Sequence, residues 1–364
     1  MDDLACTGLG NRRGVALLIT LAVTTVLVAA GLEYNRRARY AVVSSAAARN
    51  ELSMTEMAAS GVHVAMAILA KDKVDNETDT PMDDWADPVK IDEVLREFPF
   101  EEGRLSVVIA DELGKIQVNA LVNYPDSRQF NEAQRSVWER FLQYYADHKE
   151  LKLDFKNDSE PPAIINSLKD WLDSGDDDAI TGLSGAETSY YQGRRPPYAA
   201  RNGPLSDLNE LLLVKGITPE LYYGTAEVPG ISRYLTVFGV TQAEGTGASF
   251  PGRINITTAE IPVLFALLPA ENKDLVEIID EVRRDIASGK QKVDMRSPAW
   301  LNQIPGLAEI KLDPKLIAMS SDLFRVQSTA TLHDAEATVT AVLQRVQAPQ
   351  MGKWTCRVVS WQVQ

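Results

Sequence analysis

Apolar residues run without a charge from Val15 to Leu32, interrupted only by Thr20, Thr24 and Thr25, before charged positions resume at Glu33. About 18 residues at 1.5 Å rise make a rod of roughly 27 Å, which spans a hydrocarbon core. No small-x-small cleavage site with a polar mature start follows Leu32, so the run does not read as an ordinary secretory signal peptide. The helical pattern instead continues. From Glu33 to Ala70 there is no proline, and Tyr40, Val43, Ala47, Leu52, Met54, Met57, Ala58, Val62, Met66 and Leu69 recur at helical spacing. One long helix is predicted, a membrane span over 15–32 and a stem over 33–72. Arg12 and Arg13 precede the span while Arg36, Arg37 and Arg39 follow it, so charge bias gives only weak support to a cytoplasmic N-terminus.

Beyond the stem the pattern changes twice. A polar, acidic stretch from Lys71 to Pro88, broken by Pro81 and Pro88, reads as a linker. Gly103 to Ala110 and Gly114 to Val118 then read as a hairpin turning at Asp111–Gly114. Helical periodicity takes over at Asn131–Asp147, Pro162–Asp173, Pro204–Val214, Pro219–Tyr223, Thr258–Leu268 and Lys273–Ala287, with Thr257 or Thr258 as the expected N-cap of the fifth. Strand signals return at Leu323–His333, Ala337–Val346 and Lys353–Gln362. The predicted organisation is a discontinuous sheet domain, 73–122 and 320–364, interrupted by an all-helical insertion over 123–319.

Composition narrows the function. The chain carries 37 Lys and Arg against 51 Asp and Glu, a formal charge of -14. That balance repels nucleic-acid phosphates and leaves acidic clusters able to bind cations. His63, His148 and His333 share no ligand spacing, and no nucleophile elbow, Walker or dinucleotide fingerprint is present, so an enzyme is not expected. Cys6 lies at the extreme N-terminus and Cys356 near the C-terminus, and Cys356 reads as a structural thiol.

Two constellations carry chemistry. Asp170, Asp173, Asp176, Asp177 and Asp178, followed by Glu187, crowd hard oxygen ligands that suit calcium better than zinc or copper. Asp173, Asp176, Asp177, Asp178 and Glu187 are the candidate ligands. Counting from Asp176, Asp178 and Glu187 fall at the third and twelfth positions of an EF-hand loop, but Ile180 and Thr181 replace the expected ligand and glycine, so the loop is irregular. The alternative is a solvated acidic turn. Separately, Leu208-Asn209-Glu210-Leu211 with Gly216-Ile217 is echoed by Leu301-Asn302-Gln303-Ile304 with Gly306-Leu307. Helix, glycine turn, helix resembles a helix-hairpin-helix module, which would place backbone amides on a phosphate. Glycine-stopped helices in a helical domain are the plainer reading.

Arg12-Arg13-Gly14 abutting the apolar run resembles the leader of type IV pilins and pseudopilins, with Met1–Gly14 removed by a prepilin peptidase between Gly14 and Val15 and the new amine methylated. Ile19 stands where most such subunits carry glutamate. RRGVALLITL, DELGKIQVNAL (Asp111–Leu121), DWLDSGDDD with GAETSYY, NGPLSDLNELLLVKGITPELY (Asn202–Tyr222), YLTVFG (Tyr234–Gly239) and INITTAE (Ile254–Glu260), in that order, resemble the K-class minor pseudopilin of the type II secretion system. That class lacks the early glutamate. The resemblance implies an α+β, pilin-like fold, a long N-terminal helix plus antiparallel sheet, with a large all-helical domain inserted and calcium bound there. It implies an inner-membrane, single-pass anchor with the C-terminal domain in the periplasm. As partners it implies the I- and J-class minor pseudopilins, the major pseudopilin and the prepilin peptidase, with contact to the secretion channel or exported substrate and no nucleic acid. The competing reading is a membrane-anchored, extracytoplasmic helix-hairpin-helix protein binding DNA, which would want cations on the hairpins, where Lys215 stands against Glu210.

Overall fold

The structure, a computed structural model, describes residues 12–100, 102–124, 126–147, 159–175, 180–242, 247–291, 293–295, 298–308, 310, 312–348 and 352–364. Helix α1 runs unbroken over Arg12–Asp75, 64 residues, so the expected continuity of span and stem is observed. Its N-terminal half is exposed, and Gly14–Asp75 is long and apolar enough to cross a membrane. The C-terminal half buries one face. Met54, Ala58, Val62, Ala65 and Leu69, four or three residues apart, lie against Val107, Ile109, Val326, Val339, Ala341 and Leu343 of a sheet. Gly61 makes this approach possible, since a Cβ there would collide with Ser328 Oγ and Val107.

That sheet is four-stranded and antiparallel: β1 (Arg104–Asp111), β2 (Leu323–Leu332), β3 (Ala335–Gln347) and β4 (Trp354–Val363) lie side by side in that order. β2 and β3 form a tight hairpin in which His333 takes a positive φ of 56°, and Leu332 faces Ala335. The closing strands therefore follow the alternation in the sequence. Helix α2 (Pro88–Arg96) begins where the linker was expected to end, capped by Asp87, whose carboxylate accepts from Val89 N, with proline in its first turn.

The predicted hairpin over 103–118 does not form. β1 pairs instead with β2, Arg104 opposite Thr331 and Asp111 opposite Phe324, while Ile116–Gln117 makes a short parallel pair with Leu235–Thr236. The reason lies in the turn residues. Asp111 accepts from Leu113 N at 2.8 Å, from Asn255 Nδ2 at 2.8 Å and from Thr258 Oγ1 at 2.7 Å, and Leu113 O accepts from Asn255 N at 2.8 Å. Those bonds turn the chain away from the sheet.

Residues from 116 to 316 build a second hydrophobic cluster around Trp138, Phe141, Ile164, Leu168, Tyr191 and Trp300. It holds α3 (Glu132–Asp147), α4 (Pro161–Leu172), α5 (Thr188–Gln192), α6 (Pro219–Tyr223), α7 (Ile261–Leu267) and α8 (Leu275–Ala287). This part is not purely helical: besides the 116–117 pair, Thr241–Gln242 pairs with Ala248–Ser249 and Ile254–Asn255 with Ile317–Ala318. The element expected over Pro204–Val214 is a short 3-10 helix, Leu208–Leu213, because Asn119 grips the preceding residues, accepting from Leu205 N at 2.7 Å and donating to Leu205 O at 3.0 Å. α7 begins at Ile261 rather than Thr258. Thr258 N and Ala259 N both donate to Asn255 O, closing a separate turn ahead of the helix and leaving Glu260 at its N-cap. The repeat seen in the sequence holds only in its first half: Leu208–Leu213 and Pro298–Gln303 are both 3-10 turns followed by glycines at positive φ, Gly216 and Gly306, but among the described residues a helix follows only the first, at Pro219–Tyr223.

Between the two clusters lie two buried polar nodes. In one, Glu112 is fully buried and meets Arg325 at 2.7 Å, Lys115 at 2.8 Å and Thr236 Oγ1 at 2.8 Å. In the other, Arg345 of β3 binds Asp72 at the end of α1 at 3.0 Å and Asp79 of the linker at 2.6 Å, and donates to Ser321 O. Burial pushes the Asp72 carboxyl up to about 6. The Asn76 hydrogen bond opposes this, nearby Asp83 and Asp79 add to it, and Arg345, shared with Asp79, pulls back least. A raised carboxyl stabilises the fold most below its ordinary pKa near 4, and that contribution is lost as pH rises through about 6. Urea midpoints of the parent should therefore fall between pH 4 and 7 relative to Asp72→Asn; parallel curves would refute the assignment.

Candidate metal centre

Helix α4 places Asp170 in its last turn and Asp173 at its C-cap, so both carboxylates leave the same end of one helix. Helix α4 is fixed from outside by Tyr124 Oη, which donates to Leu172 O at 2.8 Å, and by Trp171 packed edge-on against Tyr191 at 4.9 Å. Glu187 sits at the N-cap of α5 without capping it through its side chain. These three buried acids bring ligand oxygens within 4.8 Å of one another.

The intervening loop wraps the helix end. Thr181 N donates to both oxygens of Asp170 at 3.1 Å, Asn166 Nδ2 to Ser184 Oγ at 3.1 Å, and Ser167 Oγ to Ser184 O at 3.3 Å. Gly185 lies so close that a Cβ would strike Asp170 Oδ2. Gly185→Ala should lower stability by roughly 1–2 kcal/mol, within the usual range for overpacking. An unchanged urea midpoint would show that the loop yields freely.

Lys169 Nζ reaches Asp173 at 2.6 Å and Gly175 N donates to it at 3.2 Å, yet burial still holds the Asp173 carboxyl above its ordinary value. Buried oxygens of this kind fit a hard divalent cation that takes carboxylate and carbonyl ligands. Of the expected ligands, Asp173 and Glu187 come together here; Asp176, Asp177 and Asp178 lie outside the described residues. Asp170 was not among the expected ligands, although its spacing of three from Asp173 on a helix already put the two on one side.

The other sequence candidates stand apart. Gly14 and Val15 lie exposed on α1, as does Ile19. His63 and His333 are exposed, and His148 lies outside the described residues. Cys356 is partly buried beside Met66 O at 3.6 Å, and burial pushes its thiol up to about 11, as befits a structural rather than a reactive group. On the hairpin spanning Leu208–Tyr223, Leu211, Leu221 and Tyr222 are buried, and Lys215 donates to Ser184 O at 3.2 Å. No row of cations faces outward on it.

A long helix laid on an antiparallel sheet, with a mainly helical body inserted between β1 and β2, defines a pilin-like α+β subunit. A chain of the crystal structure of the GspK-GspI-GspJ complex from the enterotoxigenic Escherichia coli type 2 secretion system has this fold, with a TM-score of 0.59 and 19% identity over 88% of this chain and 99% of that one. Residues 114–226, which contain the acidic site, match the family model for type II secretion system protein K. Type II secretion system protein K of Aeromonas hydrophila is 26% identical over 92% of this chain and 93% of its own length. The protein K of Pseudomonas aeruginosa is 28% identical over 92% and 89% respectively. Over nearly its whole length the chain is similar to type II secretion system protein K.

Proposed function

We propose that this chain is the minor pseudopilin at the tip of a type II secretion pseudopilus, where it initiates assembly with I- and J-class minor pseudopilins. The observation that carries the reading is the likeness to protein K over 92% of the chain. The GspK-GspI-GspJ complex supplies the partner classes. The role is structural: a component of a secretion machine rather than a catalyst.

Residue chemistry supports the same reading. In a growing helical filament a glutamate near the processed N-terminus neutralises the amine of the subunit already in place. A subunit that starts the filament has no such neighbour, and an unpaired carboxylate in lipid would only destabilise it. Ile19 fits the first position. Cleavage by the prepilin peptidase between Gly14 and Val15, methylation of Val15, an inner-membrane anchor and a periplasmic C-terminal body complete the proposal. The body would then meet the major pseudopilin below it and the secretion channel or exported substrate above.

Calcium is assigned to the acidic loop. Asp170, Asp173 and Glu187 would hold it, with Asp176–Asp178 supplying further oxygens, and the ion would neutralise the excess charge at the end of α4. The assembly claim is tested by co-expressing the detergent-solubilised full chain with I- and J-class partners. A ternary complex is expected; failure to co-purify with either partner, with and without calcium, overturns it.

A further inference from the structure

Among the described residues of this acidic chain lies a distinctly cationic recess. α5 and the glycine turn that follows the 3-10 helix at Leu208–Leu213 enclose an open pocket of about 420 Å³ lined by Tyr190, Arg194, Arg195, Tyr198 and the Leu212–Ile217 segment. No carboxylate lines it among the described residues. Arg194 stacks over the Tyr190 ring, 4.4 Å from its centroid, and Lys215 covers that ring at 5.0 Å. Tyr198 stacks on Tyr191 at 5.3 Å, and Lys215 N donates to Tyr191 Oη at 3.2 Å, which ties the turn to the helix. Arg194 and Arg195 are exposed, and neither guanidinium has a carboxylate partner among the described residues. The Tyr190 hydroxyl likewise lacks a hydrogen-bond partner among them.

From this arrangement we propose that the pocket is a docking site for the carboxylate side chains of an acidic protein segment. Stacking on Tyr190 holds the Arg194 fork in a defined plane, the geometry that carboxylates match with two parallel hydrogen bonds. Arginine and tyrosine are among the residues enriched at the hot spots of protein-protein interfaces. A long polyanion is the poorer fit: with a formal charge of -14, the chain repels any phosphate backbone extending beyond the pocket. A short acidic segment engages the cations and leaves before meeting that field. The inference does not depend on calcium binding or on the tip assignment.

The test uses full-length protein in detergent and a fluorescein-labelled hexaglutamate peptide, with hexaglutamine as the neutral probe. Binding of hexaglutamate alone is expected, weakening with added salt as exposed charges are screened. Arg194→Glu with Arg195→Glu should weaken it at least tenfold, while Lys353→Glu, exposed ahead of β4 and outside the pocket lining, should leave it unchanged. Both arginines are exposed, so circular dichroism of the double variant should match the parent. Equal affinity of the double variant and the parent overturns the proposal. So does tighter binding of a duplex oligonucleotide or of inorganic phosphate than of hexaglutamate, which would make this a phosphate site.

Discussion

Replacing Arg345 with methionine is expected to cost about 3–5 kcal/mol of stability at pH 7, the usual penalty for leaving buried carboxylates without their cation. Arg345 is fully buried, Asp72 and Asp79 nearly so, and its guanidinium also caps Ser321 O and lies 4.6 Å from the Phe324 ring centroid. Without it, the Asp72 carboxyl must take up a proton or stay charged in an apolar site, so the penalty is largest where the unfolded chain keeps it ionised. The loss at pH 7 should exceed the loss at pH 4, where a protonated Asp72 needs no partner. Combining Arg345→Met with Asp72→Asn and Asp79→Asn should recover much of it, because a neutral core of similar volume is tolerated. Urea denaturation of the full chain in detergent reads both effects. A loss under about 1 kcal/mol, or one independent of pH, would show that the node is hydrated rather than buried.

The same node explains why part of the fold could not be read from the sequence. Helix α1 was legible because its apolar stripe repeats locally, and β2, β3 and β4 because alternation and a tight turn are local signals. Asp72, Asp79 and Arg345 carry no such signal: their partners lie 273 and 266 positions away, and an acid in a polar linker looks like any solvated acid. The 103–118 hairpin failed for a related reason. Asp111-Glu112-Leu113-Gly114 has turn chemistry, but tertiary bonds from Asn255 and Thr258 decide which way the turn sends the chain. Even α2 had a readable start, Asp87 before Pro88, obscured by the acidic residues around it. The acidic site was legible in composition, and Asp173 and Glu187 do converge. What composition could not supply was depth. Asp170 enters the cluster because Gly185 lets the loop close over the helix end, a contact fixed by packing rather than spacing.

Calcium should stabilise the chain by about 2.7 kcal/mol at a hundredfold excess over its dissociation constant, the increment mass action gives to any ligand that binds only the folded state. Asp170, Asp173 and Glu187 converge within 4.8 Å, and the Asp170 charge raises the Asp173 carboxyl even with Lys169 beside it, so added positive charge relieves repulsion already built into the fold. Magnesium should give a smaller increment, since it holds its waters tightly and demands stricter octahedral geometry than this irregular loop offers. Asp170→Asn with Glu187→Gln should abolish the calcium response and slightly stabilise the calcium-free chain, because removing like charges from a buried cluster lessens mutual repulsion. Affinity should fall on acidification, for burial already favours the protonated form of Asp173 and protons then compete with the ion. Thermal melts without calcium and with calcium at about a hundredfold excess over its dissociation constant measure each effect. Midpoints indifferent to calcium would remove the metal from this loop, and a full response in the double variant would move it elsewhere.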